Sequence, residues 1–309
     1  MFLIIIFLLI LVLVLEVFPF IFVKPSSRTI NIGSGTTTKS IALMLKKDKL
    51  IIDPYGFSFL VYVAGAEGRL KSGMHNLEAV HNTFELIKQL EQGGLPEEIS
   101  VTIPEGYNVK EIAQKLFEAG VVDDKTKFIE EAQKDEGYLF PDTYNFILGS
   151  SNSNVISKMK SRFYEVLPKD YEKSAQTKGL SVKQAIILAS IIEKEIVFNK
   201  DRPIAASVFL NRLKVGMPLQ SDATIFYILS SHKEYLSADD YKIDSPYNTY
   251  KYTGLPLGPI SNPGLDSIEA VINAPETDYY YFITKPDGEA VFEKTLEEHN
   301  KDVAKYYGY

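Results

Sequence analysis

The pattern of apolar and polar positions is most distinctive between Val182 and Phe198, where an apolar run ends in two carboxylates and one ammonium group. Ser181 precedes this stretch as a helix N-cap residue, and Pro203 follows it as a helix terminator. Plotted at the helical angle of about 100° per residue, no face of the stretch is wholly polar. The pattern therefore predicts a helix that other parts of the protein enclose on most of its sides.

The charged end of this predicted helix is a candidate for chemistry, because desolvating a charged side chain is costly unless the charge is paired or used. Glu193 shares a stripe of the helix with Ile186 and Ala189, whereas Glu195 shares one with Leu188. Periodicity alone does not choose between the two carboxylates. The alternative is that both form the solvated tip of a core helix, which is the commoner situation for a lone Glu at such a position.

The first part of the chain, residues 2–23, is apolar except for Glu16 and is long enough to cross a bilayer core of about 30 Å. A cleavable signal peptide has a shorter apolar region, a basic start and a small-residue cleavage site, and this stretch shows none of them. We therefore expect a single-pass transmembrane anchor. Lys24 and Arg28 follow it, and the positive-inside rule taken alone would keep that side in the cytoplasm, so the orientation has to be argued from function.

Two stretches of the N-terminal half share a pattern of a short β-rich segment, a turn and an amphipathic helix. Residues 30–45 align with residues 101–116 at an offset of 71, and residues 67–76 echo residues 136–145 at an offset of 69. The pattern favours two related β-α modules, a number too small for a solenoid. The alternative is that β-turn-α units look alike by chance.

The rest of the chain alternates predicted helices with a long irregular segment. Helices are expected at residues 155–171, 204–215 and 296–307, and a hairpin at residues 279–292. Residues 216–264 are dense in Gly, Pro, Asn and Tyr, which argues against regular structure. A long loop in a compact domain is usually functional.

Composition narrows the classes of function. The net charge of −7 and the absence of a long basic block argue against nucleic acid as a partner. There is no cysteine, which removes disulfides, thiol catalysis and zinc–thiolate sites. The four histidines show no metal-ligand spacing, so we expect neither a metal ion nor another cofactor.

Six short motifs lie between residues 136 and 260. They are Glu136–Tyr144 (EGYLFPDTY), Ala189–Glu195 (ASIIEKE), Val208–Leu213 (VFLNRL), Leu219–Asp222 (LQSD), Tyr247–Tyr250 (YNTY) and Gly254–Ile260 (GLPLGPI). Together, and in this order, they resemble the YceG-like (MltG) family of endolytic murein transglycosylases.

The resemblance implies an enzyme that cuts nascent peptidoglycan glycan strands between N-acetylmuramic acid and N-acetylglucosamine and leaves a 1,6-anhydromuramic end. It implies that the β-α modules are LysM-like and that peptidoglycan synthases of the membrane are partners. It also implies that the first Glu of the family's E-K-E motif, Glu193 here, is catalytic. Because nascent glycan lies outside the membrane, the implied location is the cell membrane, with the catalytic domain extracytoplasmic.

One carboxyl group is sufficient for such a reaction. The muramyl C6 hydroxyl attacks its own anomeric carbon, so a single Glu can protonate the leaving oxygen and then accept the C6 proton. Ordinary glycosidases need two carboxyl groups. The single acid has to be protonated at rest, and apolar surroundings raise a carboxyl pKa.

Polar residues of the motifs are candidates for the wall of a substrate cleft around the catalytic Glu. They are Gln220, Ser221, Asp222, Tyr247, Asn248 and Thr249, with Glu136 and Tyr144 as further candidates. The alternative is turn chemistry, since Ser-Asp and Asn-Thr pairs often cap helices and close loops. That alternative is stronger for the last two, because Phe-Pro-Asp-Thr-Tyr is typical of a rigid turn.

The sequence thus predicts an α+β protein in four parts. These are a transmembrane anchor at residues 1–24, a first LysM-like module with a connecting segment at 25–100, a second LysM-like module at 101–150, and a mixed α+β catalytic domain at 151–309. Two rival functions remain, a non-catalytic peptidoglycan-binding scaffold of the wall-synthesis machinery and a hydrolase that leaves reducing ends.

Overall fold

The computed structural model describes residues 6–12, 28–33, 35–77, 82–94, 98–229, 233 and 235–308. The described helices and strands form a mixed α+β structure with three two-stranded sheets, which confirms the α+β class of the prediction. The chain divides into two compact units, Met1–Glu98 and Ile99–Tyr309.

From residue 28 onward, the described part of the first unit contains two antiparallel strands and three helices. Its elements are β1 (Arg28–Ile32), α1 (Thr38–Lys47), α2 (Pro54–Val63), β2 (Gly73–Leu77) and α3 (Thr83–Gln92). Ile30 lies opposite His75 in the β1–β2 pair. Ile30, Leu45, Phe57 and Leu86 belong to the core of this unit, so strand and helix side chains bury one another.

The second unit begins with the same order of elements, strand, helix, helix and strand. These are β3 (Glu98–Thr102), α4 (Val109–Glu118), α5 (Lys125–Ala132) and β4 (Thr143–Ile147), with β3 paired to β4. The starts of α4 and α5 follow those of α1 and α2 at an offset of 71, and the starts of the strands follow at an offset of 70. The two aligned stretches of sequence therefore form the same local elements. The predicted boundaries at residues 100 and 150 stay predictions.

The remainder of the second unit is mostly helical. Its helices are α6 (Asn152–Val166), α7 (Tyr171–Thr177), α8 (Val182–Glu195), α9 (Arg202–Lys214), α10 (Asp222–Leu229), α11 (Leu265–Ile272) and α12 (Leu296–Tyr307); its strands are β5 (Tyr281–Thr284) and β6 (Ala290–Glu293). Two short 3-10 turns lie at Gln133–Asp135 and Asp240–Lys242. The β5–β6 hairpin is antiparallel, and Phe282 lies opposite Phe292.

Helix α8 is the centre of this part, as its apolar pattern predicts. All eight residues from Ala185 to Ile192 are buried, and α8 packs against α7, α9, α10 and α11. Fully burying an Ile or Leu side chain contributes about 1.5–3 kcal/mol. The burial of this run therefore fixes the helix firmly, and with it the charged residues of its last turn.

Several other predicted elements are present, with two differences. The helix expected at residues 155–171 is divided into α6 and α7, because Pro168 lies between them and cannot continue a helix. The segment expected to be irregular from residue 216 contains α10, whose sequence has neither Gly nor Pro. Residues 245–264 contain neither helix nor strand, as predicted.

The predicted transmembrane segment, residues 2–23, lies largely outside the described residues. Residues 6–12 of that segment are described and are helical. Within the described ranges, no helix is both long enough and apolar enough to span a bilayer.

Candidate active site

The last turn of α8 places the two candidate carboxylates in different surroundings. The helix begins with a capping box in which Ser181 and Gln184 exchange hydrogen bonds, and it ends at Ile196, whose backbone is extended. Glu193 and Glu195 are two residues apart, which corresponds to about 200° around a helix. They therefore point to nearly opposite sides of α8.

Glu193 forms a buried ion pair with Arg202, the first residue of α9. Arg202 Nη2 lies 3.1 Å from Glu193 Oε1, and Arg202 Nη1 lies 3.4 Å from Oε2. The two side chains are only 7% (Arg202) and 5% (Glu193) exposed. The backbone N–H of Gly264, the N-cap of α11, donates to Glu193 Oε2 at 2.9 Å. Glu193 thus joins the ends of three helices.

Glu195 lies on the other side and lines a cleft of about 790 Å³. One wall of the cleft is the polar face of α4, and the opposite wall is formed by the end of α8 and by α10. The α4 residues are Lys110, Glu111, Gln114, Lys115 and Glu118, and those opposite include Lys194, Glu195, Asp222, Phe226 and Tyr227. Glu193 is not among the described residues that line this cleft.

Glu195 is bonded to the segment that starts α10. Ser221 Oγ donates a hydrogen bond to Glu195 Oε1, and the backbone N–H of Ala223 donates to the same oxygen at 3.2 Å. Burial raises the pKa of Glu195 above that of an ordinary carboxyl; the two hydrogen bonds oppose the rise, and the negative charge of Asp222 adds to it. A carboxyl group with a raised pKa at the edge of a cleft is suited to act as a general acid.

Ser221 is positioned by a turn with unusual backbone geometry. Gln220 has a φ of 51°, in the left-handed region that disfavours residues with a Cβ. Its backbone N–H donates to Thr249 O at 3.1 Å, and the N–H of Ser221 donates to Thr249 Oγ1 at 3.0 Å. Ser221 and Thr249 are each 2% exposed. Both therefore support Glu195 from within the protein.

Asp222 and Tyr247 lie nearer to the cleft. Asp222 lines it, and Asp222 Oδ1 accepts a hydrogen bond of 2.6 Å from Tyr250. The ring of Tyr247 lies 5.0 Å from the ring of Tyr227, which lines the cleft. Of the residues predicted to bind substrate, Asp222 is therefore in the wall, and Tyr247 packs behind it.

Two other residues predicted to bind substrate instead form hydrogen bonds with nearby backbone groups. Asn248 Nδ2 donates to the carbonyls of Tyr241 and Ile243 at 2.9 and 2.8 Å, and its Oδ1 accepts from two backbone N–H groups. Tyr144 is 5% exposed, and its hydroxyl donates to Phe140 O at 2.6 Å. These contacts agree with the turn-chemistry alternative.

Glu136 is a buried carboxyl behind the cleft wall. Val109 N donates to both of its oxygens at 3.1 Å, Asn262 Nδ2 donates to Oε1 at 2.9 Å, and the Tyr227 hydroxyl approaches Oε2 at 3.5 Å. Burial raises the pKa of Glu136 to about 8. Because Glu136 bonds the first residue of α4, it fixes the wall that faces Glu195.

The polar face of α4 is the part of the site that the sequence analysis did not predict. Lys110, Gln114 and Glu118 follow one another at four-residue spacing, which places them on one side of the helix. Polar residues at that spacing also occur on any solvent-exposed helix face. The sequence therefore could not show that this face lines a cleft. In the described part of the chain, no group of three or more His, Asp or Glu is arranged to hold a metal ion.

Comparisons with known proteins agree on one family. The model of the YceG-like family matches residues 30–305. An endolytic murein transglycosylase of Bacillus subtilis (strain 168) is 36% identical over 92% of this chain and 86% of that protein. One of Streptococcus pneumoniae (serotype 2, strain D39) is 33% identical over 90% of this chain and 58% of that protein.

A solved structure is also similar. The 2.6 Å crystal structure of a yceG-like protein of Listeria monocytogenes superposes with a TM-score of 0.59 at 33% sequence identity. The match covers 90% of this chain and 99% of that one. From the family model, the relatives and this structure, we conclude that the chain belongs to the YceG-like family.

Proposed function

We propose that this protein is an endolytic peptidoglycan transglycosylase, a lyase that cleaves the bond between N-acetylmuramic acid and N-acetylglucosamine. Membership of the YceG-like family supports this function, and the relatives from Bacillus and Streptococcus are named for it. The observation that carries the proposal is the Glu195 carboxyl group, which lines a large cleft and whose pKa is raised by burial.

We assign the role of general acid to Glu195, although the resemblance of the sequence implied Glu193. Glu193 is engaged by Arg202 and Gly264 and does not line the described cleft. Glu195 instead accepts hydrogen bonds from Ser221 and Ala223 and lines the cleft in which we place the glycan.

The reaction needs two proton transfers, one from Glu195 and one back to it. The Glu195 carboxyl donates its proton to the glycosidic oxygen as the bond from that oxygen to the muramyl C1 breaks. The muramyl C6 oxygen then bonds to C1, and the carboxylate of Glu195 accepts the C6 hydroxyl proton. The products are a 1,6-anhydromuramic end and a free hydroxyl on the departing sugar, with no water consumed.

Residues around Glu195 have supporting roles in this proposal. Asp222 contacts the glycan from the cleft wall, and its negative charge helps to keep Glu195 protonated. Ser221, Thr249 and Gln220 position the Glu195 carboxyl, while Tyr247 and Glu136 support the walls. Asn248 and Tyr144 do not contact the glycan in this proposal; their hydrogen bonds to backbone carbonyls stabilise the surrounding loops.

The two strand–helix–helix–strand stretches are proposed as LysM-like modules that help to hold the glycan. Their repeated order of elements supports this assignment. The apolar residues 2–23 are proposed as a single-pass anchor that keeps the catalytic domain outside the cell membrane, where nascent glycan and the peptidoglycan synthases are found.

The test is mass spectrometry of glycan fragments released from uncrosslinked peptidoglycan by the full chain in detergent. The variants Glu195→Gln and Glu193→Gln are compared with the wild type, each with its melting temperature measured. We expect anhydro ends from the wild type and none from a folded Glu195→Gln variant.

Other outcomes would change the assignment. Reducing ends would indicate a hydrolase, for which Asp222 would be the second carboxylate to examine. Cleavage that persists in Glu195→Gln but is lost in a stably folded Glu193→Gln variant would return the acid role to Glu193. Binding of glycan without any cleavage would favour the scaffold.

A further inference from the structure

Helix α2 of the first unit is apolar on two sides. Pro54, Phe57, Leu60 and Val61 are buried in the core of the unit. Tyr55, Phe59, Tyr62 and Val63 are exposed, with 75%, 52%, 65% and 58% of their surface accessible. A helix that packs one stripe on a core normally presents polar residues on the opposite side. The exposed apolar side of α2 is therefore a candidate binding surface.

The exposed residues of α2 lie together. At about 100° per residue, positions 55, 59, 62 and 63 fall within an arc of about 100°. Ile52, two residues before the helix, is also 57% exposed. Single exposed apolar residues are ordinary, but a contiguous apolar patch on a soluble domain usually marks an interaction surface. Tyr55, Phe59, Tyr62 and Val63 are called the α2 face below.

The position of the unit in the chain points to the bilayer as the partner. Residues 2–23 have the length and composition of a membrane segment, and β1 begins at Arg28. Five residue steps of extended chain reach at most about 18 Å. If residues 2–23 are the anchor proposed above, the first unit is held next to the lipid headgroups.

The charge of the region fits the same partner. Residues 24–71, which follow the proposed anchor and include α2, contain eight Lys and Arg residues and three Asp and Glu residues, while residues 72–98 contain one Lys and five Glu residues. Basic residues close to an anionic membrane surface are attracted to it. Tyr and other aromatic side chains favour the headgroup level of a bilayer, where the ring is buried and the hydroxyl stays hydrated.

We propose that the α2 face docks on the surface of an anionic phospholipid bilayer, with its aromatic rings at headgroup level. This inference rests on the proposed anchor and not on the proposed chemistry. Docking would restrain the first unit at a fixed height and orientation above the membrane. A glycan strand is a less suitable partner, because Phe59 and Val63 offer no hydrogen bonds to sugar hydroxyls.

The absence of Trp from the chain allows a direct test. The full chain is reconstituted in vesicles of phosphatidylglycerol and phosphatidylethanolamine with either Tyr62→Trp or the control Tyr164→Trp. The two tyrosines are similarly exposed, at 65% and 61%, and Tyr164 lies in α6 of the other unit. Phe59→Trp serves as a second reporter on the α2 face.

We expect Trp emission from the α2 face to shift to shorter wavelength in vesicles. Lipids brominated near the headgroup end of the acyl chain should quench it several-fold more strongly than they quench the control. Equal, water-like emission from both sites, in protein that floats with the vesicles, would overturn the proposal while leaving the anchor intact.

Two further outcomes would also overturn it. A chain that does not float with vesicles at all would remove the anchor and with it the basis of the inference. A blue shift produced in detergent by soluble glycan fragments, without a matching effect of lipid, would identify the α2 face as a glycan surface.

Discussion

Glu193 and Arg202 form an ion pair whose two side chains are 5% and 7% exposed, at the junction of α8 and α9. The same carboxylate accepts the N–H of Gly264 at 2.9 Å. Glu195, two residues further on, instead bonds Ser221 beside the cleft. One turn of one helix thus holds a carboxylate that joins the ends of three helices and a carboxyl group that lines the cleft.

The buried ion pair predicts a large loss of stability when one partner is removed. Glu193→Gln should lower the free energy of unfolding by about 3–5 kcal/mol, because it leaves Arg202 buried without its counter-charge. The measurement is urea unfolding followed by circular dichroism.

Glu289 provides the control for that prediction. It pairs with Lys200 at 3.0 Å, but the two side chains are 43% and 65% exposed. Glu289 also pairs with Lys285, but because solvent screens an exposed carboxylate, Glu289→Gln should lower the free energy of unfolding much less than Glu193→Gln does. If the two variants were equally stable, the structural role given to Glu193 would be wrong.

The surroundings of Glu195 predict opposite pH shifts for two neighbouring variants. The Ser221 hydrogen bond lowers the pKa of Glu195 and the charge of Asp222 raises it. A general acid works only when protonated, so activity falls as pH rises through its pKa. Ser221→Ala should move this alkaline limb of kcat/KM to higher pH, and Asp222→Asn should move it to lower pH.

The profile is measured by the release of anhydro ends across a pH series. The same variants made in a folded Glu193→Gln background, where that background retains activity, should show the same shifts. Shifts in one common direction would contradict the assignment of Glu195 as the acid.

The raised pKa of Glu136 predicts that the stability of the protein depends on pH. Its pKa is about 8 in the folded protein and 4.5 as an unperturbed side chain. The folded state therefore holds a proton that the unfolded state has released between these values, so stability is greatest below about pH 4.5 and falls as pH rises to about 8. The full effect is at most about 4–5 kcal/mol.

Glu136→Gln should flatten this part of the stability profile, because the amide does not titrate. Thermal unfolding from pH 5 to pH 8 is the measurement, with the exposed Glu130→Gln as the control. A wild-type profile that is already flat would mean that Glu136 has an ordinary pKa.

The positive φ of Gln220 predicts that this position tolerates glycine better than a β-branched residue. Its φ of 51° is unfavourable for any residue with a Cβ and most unfavourable for a branched one. Gln220→Gly should leave stability unchanged or improve it by up to about 1 kcal/mol, whereas Gln220→Val should destabilise by about 1–3 kcal/mol. Cleavage should fall in the Val variant because Ser221 moves away from Glu195. The reverse order of stabilities would show that the turn is not constrained.

The sequence alone determined the local elements with a strong periodic signal. The helix around Ala185–Ile192, the hairpin near residues 279–292 and the helix at 296–307 are present because apolar spacing and turn residues act over a few neighbours. The repeated pattern at residues 30–45 and 101–116 also appears as repeated elements. The motifs were sufficient to identify the family.

Only the tertiary structure shows that Glu193 and Glu195 have different surroundings. Periodicity states which residues share a face of a helix but not what packs against that face. Arg202 reaches Glu193 from the start of the next helix, and Ser221 reaches Glu195 from 26 residues further along the chain. The pKa of a carboxyl depends on such burial and charge, which are long-range properties. The role of the polar face of α4 as a cleft wall is also a long-range property, because it depends on α8 and α10 lying across from it.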